Sequence, residues 1–277
     1  MAGGWLNEWL SGLSLIGVGL VMLASMLLAA GLSHGARVLQ RRHGGREEKE
    51  HMQESYLVGS MLGLLALLLA FSFAMAVDRY EERRHLVVQE ANAIGTAYLR
   101  TQLLDEPHRG RLSALLVAYT DNRVALAKAE PENLDGQLAV NDRLLTEIWA
   151  AVAAARDSAN SHGITTAMLI TFNEVIDLDT ERKVARQVRV PATVLVTLYG
   201  FLVMTSGVIG YVLEERRAWI GAFVLFMLLS LYVSVIADLN RPSSGSIQES
   251  QEPMEMLRQS LKAQPPVVFD RFETSKQ

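Results

Sequence analysis

Four stretches of the chain run for a membrane-spanning length without a charged side chain: about Gly12–Leu32, Tyr56–Val77, Val190–Leu213 and Ala218–Ala237. About 20 apolar residues rising about 1.5 Å each cross a hydrocarbon layer of about 30 Å. Four such runs in 277 residues leave too little chain to cover them, which argues against buried helices of a soluble protein. The first run is read as a retained helix and not a cleaved leader. Met1–Ser11 carries Glu8 and no Lys or Arg, and the run exceeds the about 7–15 residues of a leader's apolar region.

Between the second and third runs the pattern changes to helical period, as in Leu112, Leu115, Leu116, Tyr119 and in Leu144, Ile148, Val152. Stop signals at Asp105-Glu106-Pro107, Glu130-Pro131 and Ser161-His162-Gly163 predict helices at 78–103, 107–129, 132–158 and 164–189. No segment alternates like a strand. The first of these helices continues the second span, since no Gly or Pro interrupts Leu64–Ala93. The fourth is expected to run up to Pro191, which suits the first turn of the third span. A turn at Arg241–Gly245, a short amphipathic helix at Pro253–Leu261 and a loosely ordered end from Gln264 complete the chain.

The predicted fold is therefore an all-α membrane protein with four transmembrane helices and a long-helix bundle between spans two and three. Residues 1–77 hold the first transmembrane pair (spans about 12–32 and 56–77) and 78–189 the extramembrane bundle. Residues 190–237 hold the second pair (spans about 190–213 and 218–237), and 238–277 the tail.

Composition narrows the chemistry. There is no cysteine, so disulfides, thiolate metal sites and thiol catalysis are excluded. A net charge of -4 argues against nucleic acid as a partner, which calls for a basic excess. No Gly-rich phosphate loop with Lys, no HExxH and no GxSxG occurs. The six histidines lack ligand spacing. Asp177-x-Asp179 without a turn glycine reads as a solvated helix face before a cation site. No catalytic residue, metal or cofactor is expected, and the protein is not read as an enzyme. The spans hold no ionisable residue, which argues against ion-coupled transport.

Sidedness is a charge argument. Loop 33–55 holds five Arg or Lys and loop 214–217 holds Arg216 and Arg217. The positive-inside rule puts these short loops in the cytoplasm and the bundle outside. Counting Arg79, Arg83, Arg84, Arg182, Lys183, Arg186 and Arg189 beside the membrane ends would reverse the placement.

In the second span, Ser60, Gly63/Leu64, Leu67, Phe71, Ala74/Met75 and Asp78 form an i, i+3, i+4 stripe. Such a stripe either packs on neighbouring helices or, in a symmetric oligomer, forms an apolar neck that gates by dewetting. A charged collar, Asp78, Arg79, Glu82 and Arg83, follows. Asn173, Glu174, Asp177 and Arg182 on the returning helix are its candidate partners. Ala91/Gly95 and Ala93/Ala97 permit close helix contact, as do Gly17, Gly19, Ser25 and Ala29 in the first span.

Ala70-Phe71 followed by Asp78-Arg79-Tyr80-Glu81-Glu82-Arg83 resembles the bestrophin pattern. The fuller order is similar to the bestrophin-like family of bacterial membrane proteins. It comprises a basic first loop, Lys49-Glu50-His51, a leucine-rich span, Glu90–Ala93, Phe172–Asp177 and Asp238–Gly245, and covers about residues 35–245. Bestrophins are pentameric anion channels whose neck is lined from the second span. Setting Arg79 on the basic position of their motif puts Gly63, Leu67 and Phe71 at the neck positions. Glycine at one of these, and a bundle placed outside the cytoplasm, depart from that pattern. The resemblance implies a homo-oligomer, a pentamer by preference, in the lipid bilayer of a bacterial inner membrane, passing small inorganic ions and anions first. The rival reading is a non-conducting sensor or scaffold whose bundle binds a ligand or protein.

Overall fold

A computed structural model describes residues 14–41, 49–156, 162–242 and 245–275. The expected span start at Gly12, the loop residues Arg42 and Arg46, and Ser243-Ser244 of the tail turn lie outside the described residues. Regular structure among the described residues is helical throughout. In chain order the helices are α1 (Leu15–Arg41), α2 (Lys49–Thr101), α3 (His108–Ala127), α4 (Pro131–Ala155), α5 (His162–Gln187), α6 (Ala192–Val212), α7 (Arg216–Leu239) and α8 (Glu252–Ala263). A 3₁₀ helix, Pro266–Ser275, follows. Four apolar stretches, in α1, α2, α6 and α7, are long enough to cross a membrane, so this is an all-α membrane protein with four spans.

At 53 residues α2 is about 80 Å long at about 1.5 Å per residue. The second span and the first helix of the bundle are thus one rod. It ends at Thr101 and not Leu103 because the chain tightens there. The amides of Gln102, Leu103 and Leu104 bond the carbonyls three residues back, at 3.2, 3.0 and 3.1 Å.

The chain divides into two compact units, Met1–Glu81 with Val188–Gln248, and Glu82–Gln187 with Glu249–Gln277. In the first unit, Met26 and Ala30 of α1, Leu65 and Leu69 of α2, Leu202 of α6 and Phe226 of α7 meet in one buried cluster. The helices approach closely where side chains are small. A Cβ on Gly210 would lie 2.2 Å from the Ala30 carbonyl oxygen, and one on Gly19 would lie 2.9 Å from the Ser234 hydroxyl. Arg37, fully buried, closes the end of α6 by donating to the carbonyls of Tyr211 and Val212 at 2.7 Å each. Glu214 balances its charge.

Two expectations are corrected. α5 stops at Gln187, short of Pro191, and Pro191 is the N-cap of α6 with extended ψ of 131°, not a first-turn residue. The residue before a proline is pushed out of the helical region. The Val190 amide, left without a helical acceptor, donates to Asn240 Oδ1 at 2.7 Å. The second correction concerns the tail after Gln264. It forms the 3₁₀ helix, with Tyr98 donating to the Gln264 carbonyl at 2.7 Å and Arg109 donating to Asp270 at 2.5 Å. The Phe269 ring stands edge-on to Tyr98.

The tail motif Asp238–Gly245 is a clamp. The Asp238 carboxylate accepts from the amides of Ser246 and Ile247 at 2.7 and 3.0 Å. A Cβ on Gly245 would sit 2.7 Å from that carboxylate. The core of the second unit gathers Ile94 and Tyr98 of α2, Leu116 of α3, Ile148 of α4, Phe172 of α5 and Met254 of α8.

Candidate pore face and buried charge network

α2 presents two faces within the first unit. Leu65, Leu69, Ser72 and Ala76 are buried against the other helices. The opposite face is open: Leu67 is 51% exposed and Phe71 61%, and Ser60, Gly63 and Ala74 are exposed. Among the described residues this face is left largely uncovered. Small residues, Gly59, Gly63, Ala66, Ala70 and Ala74, recur along the open face, and a Cβ on Gly63 would meet nothing within 4 Å. Leu64, Leu67 and Phe71 are bulky members of the same open face.

The collar residues separate in the same way. Asp78 and Glu82 are exposed, Arg79 is half-buried and Arg83 is buried. Arg83 donates through Nε to Glu249. Of the collar's candidate partners, Asn173, Glu174 and Asp177 lie exposed on α5. Glu174 and Asp177 line an open polar cleft with Gln89, Asn92 and Glu181. Arg182 is buried and pairs with Glu90; it also donates to Gln251 at 3.4 Å.

That Glu90 is the centre of a network which sequence reading does not single out. It is 0% exposed. Tyr119 donates to its Oε1 at 2.8 Å, Arg123 Nε lies 2.8 Å from Oε1, and an Arg123 terminal nitrogen donates to Oε2 at 3.1 Å. Arg123 extends the network to Asp179 at 3.0 Å, where Asn141 also donates at 3.0 Å and Lys183 pairs at 2.7 Å. Burial pushes the Glu90 carboxyl upward, but the charges of Arg123 and Arg182 outweigh it and hold it below its ordinary value. Burial and then Glu90 hold the Tyr119 hydroxyl protonated, well above its usual range.

The network has a signal in the sequence. The buried stripe of α2 reads Arg83, Val87, Glu90, Ile94, and that of α3 reads Leu112, Leu116, Tyr119, Arg123. That of α5 reads Phe172, Val175, Asp179, Arg182. In each, a charged residue continues an apolar face at helical spacing. Asp179 is therefore neither a solvated-face residue nor half of a cation site: it is buried and paired with two cations. Among the described residues no group of three His, Cys, Asp or Glu could hold a metal.

A family model described as the Bestrophin-like domain matches residues 25–254. No curated protein matches. Solved structures similar to the chain include a Trp-to-Ala variant of a bacterial bestrophin homologue from Klebsiella pneumoniae. It has TM-score 0.69 and 15% identity, covering 90% of this chain and 97% of that one. A structure of the homologue determined by zinc phasing gives TM-score 0.64 and 16% identity, covering 90% and 98%.

Proposed function

The chain belongs to the bestrophin-like family, and we propose that it is a homo-oligomeric passive ion channel whose neck is the open face of α2. The carrying observation is that face. It is apolar and exposed from Ser60 to Ala74 while the opposite side of the same helix is buried. Its small residues at three- and four-residue spacing let copies of α2 approach closely. Gly63, Leu67 and Phe71 then project toward a common axis, where Leu67 and Phe71 each give one side chain per subunit to a dry ring. Dehydrating an ion there sets the barrier to conduction. A pentamer accords with the bestrophin resemblance.

Anions are the first permeant class by family resemblance. Cations are the second reading, favoured by one observation: the exposed side chains of the turns that follow the neck include Asp78, Glu81 and Glu82, and acidic rings draw cations.

The test is one liposome flux assay on purified wild type and Phe71→Ala. The variant is expected to raise flux severalfold with the oligomer intact, and Leu67→Ser to act likewise by wetting the ring. Potassium and chloride gradients run separately assign the ion. If the face only packs on protein, Phe71→Ala leaves a cavity costing about 3–5 kcal/mol. No flux from either protein, with lower thermal stability in the variant, refutes the channel and supports the sensor or scaffold.

A further inference from the structure

In the second unit a small cavity lies between α2 and α5. Arg83, Arg182, Arg186 and Glu249 line it, with Leu86 and Val87 as apolar wall. Three arginines thus share its lining with one carboxylate. The geometry points to this cavity as a binding site for one small monovalent anion of halide size.

The charge inventory carries the argument. Glu249 is taken by Arg83. Glu90 is shared between Arg182 and Arg123. Asp179 is shared between Arg123 and Lys183. Arg186, half-buried one turn beyond Arg182, has no carboxylate within salt-bridge distance among the described residues. Burial disfavours its charged form first, and Arg182 and Arg123 add repulsion that Glu249 only partly offsets. An arginine does not escape such a site by losing its proton. A half-buried cation beside two other guanidinium groups gains from a counter-charge, and a water molecule would solvate it without supplying charge. An anion supplies it.

Size selects among anions. The cavity has room for about one water-sized guest, which suits a single atomic ion better than the spread oxygens of a phosphate. Leu86 and Val87 suit a weakly hydrated guest. This site is independent of the pore reading and of which ion the pore carries.

The experiment measures thermal unfolding of the full chain in detergent, by intrinsic fluorescence, as sodium bromide replaces sodium gluconate at fixed ionic strength. Wild type, Arg186→Gln and, as a control, Arg143→Gln on the exposed face of α4 are compared. Wild type and the control are expected to gain stability with bromide along a saturating curve. Arg186→Gln is expected to be the more stable protein in gluconate, because repulsion is relieved, and to shift the bromide midpoint by about tenfold or more. A merely structural arginine would instead lower the unfolding temperature equally in both salts, and that result overturns the inference. So does a wild-type curve that is the same in bromide and gluconate. If Arg186→Gln does not fold, bromide anomalous scattering in crystals of wild type decides. A peak among the three guanidiniums supports the site, and its absence at saturating bromide rejects it.

Discussion

Neutralising Glu90 tests whether the bundle depends on its buried charges. In Glu90→Gln the shape stays and the charge goes, leaving Arg123 and Arg182, both nearly inaccessible, with Asp179 as the one carboxylate paired to either among the described residues, beside the neutral Asn141 and Gln251 acceptors. Breaking a buried ion pair by removing one partner costs about 3–5 kcal/mol, a large share of the about 5–15 kcal/mol that holds a typical domain together. At about 2–4 °C per kcal/mol for units of this size, the unfolding temperature should fall by roughly 6–20 °C. Adding Arg182→Met removes one stranded cation and leaves Arg123 balanced by Asp179, so the double variant should recover about 1–3 kcal/mol of the loss. The acid limb supplies a second readout. Glu90 titrates below its ordinary 4.5 in the folded protein, so its contribution is complete above that value and disappears as pH falls through the lower folded value. Wild type should lose this increment only in acid, and Glu90→Gln should show a flatter acid limb. The assay is thermal unfolding in detergent from neutral pH to about pH 3, a range that brackets the ordinary carboxylate values. A Glu90→Gln protein that unfolds within about 1 °C of wild type, less than about 0.5 kcal/mol, would refute the reasoning, since no stranded charge would then exist.

Gly210→Ala should destabilise by about 1–3 kcal/mol or more, because its Cβ would sit 2.2 Å from Ala30 backbone; Gly221→Ala, with open space around it, should match wild type in the same unfolding assay. For sidedness, the cysteine-free chain allows a single reporter at exposed Glu147. Labelling of Glu147→Cys by an impermeant thiol reagent in intact cells is expected if the bundle lies outside the cytoplasm, and labelling only after lysis reverses the placement. Ser113 would be a poor reporter, since it is buried against Gln102.

The spans were legible because about 20 uninterrupted apolar residues match the thickness of a bilayer and little else in so short a chain. The long rod was legible because nothing between Leu64 and Ala93 breaks a helix. Pro191 misled for a reason of the same local kind. A proline fits either the first turn or the cap, and what decided here was a distant side chain, Asn240, ready to bond the Val190 amide. The order of the tail was hidden likewise, since Tyr98 and Arg109, the residues that hold Gln264 and Asp270, lie more than 150 positions away.

The charge network was hidden by a habit of reading. Glu90, Arg123 and Asp179 look like solvated residues when each helix is taken alone, because charge is ordinarily the mark of the outer face. Their phase says otherwise: each falls on the same side as Ile94, Leu116 or Phe172. Three helices that each break their apolar face with a charge must bring those charges together in the interior, where opposite signs are required. The neck face poses the converse problem. Nothing in its periodicity separates lipid, a second subunit or a water-filled axis, because all three accept an apolar stripe. What narrows the choice is the graded size along it. Lipid makes no demand for small residues such as Gly63 and Ala70 beside Leu67 and Phe71, whereas close approach of a second α2 does. The side-chain volumes on that face, more than its hydrophobicity, therefore favour a protein neighbour, and Phe71→Ala is the change that separates a neighbour that seals from one that conducts.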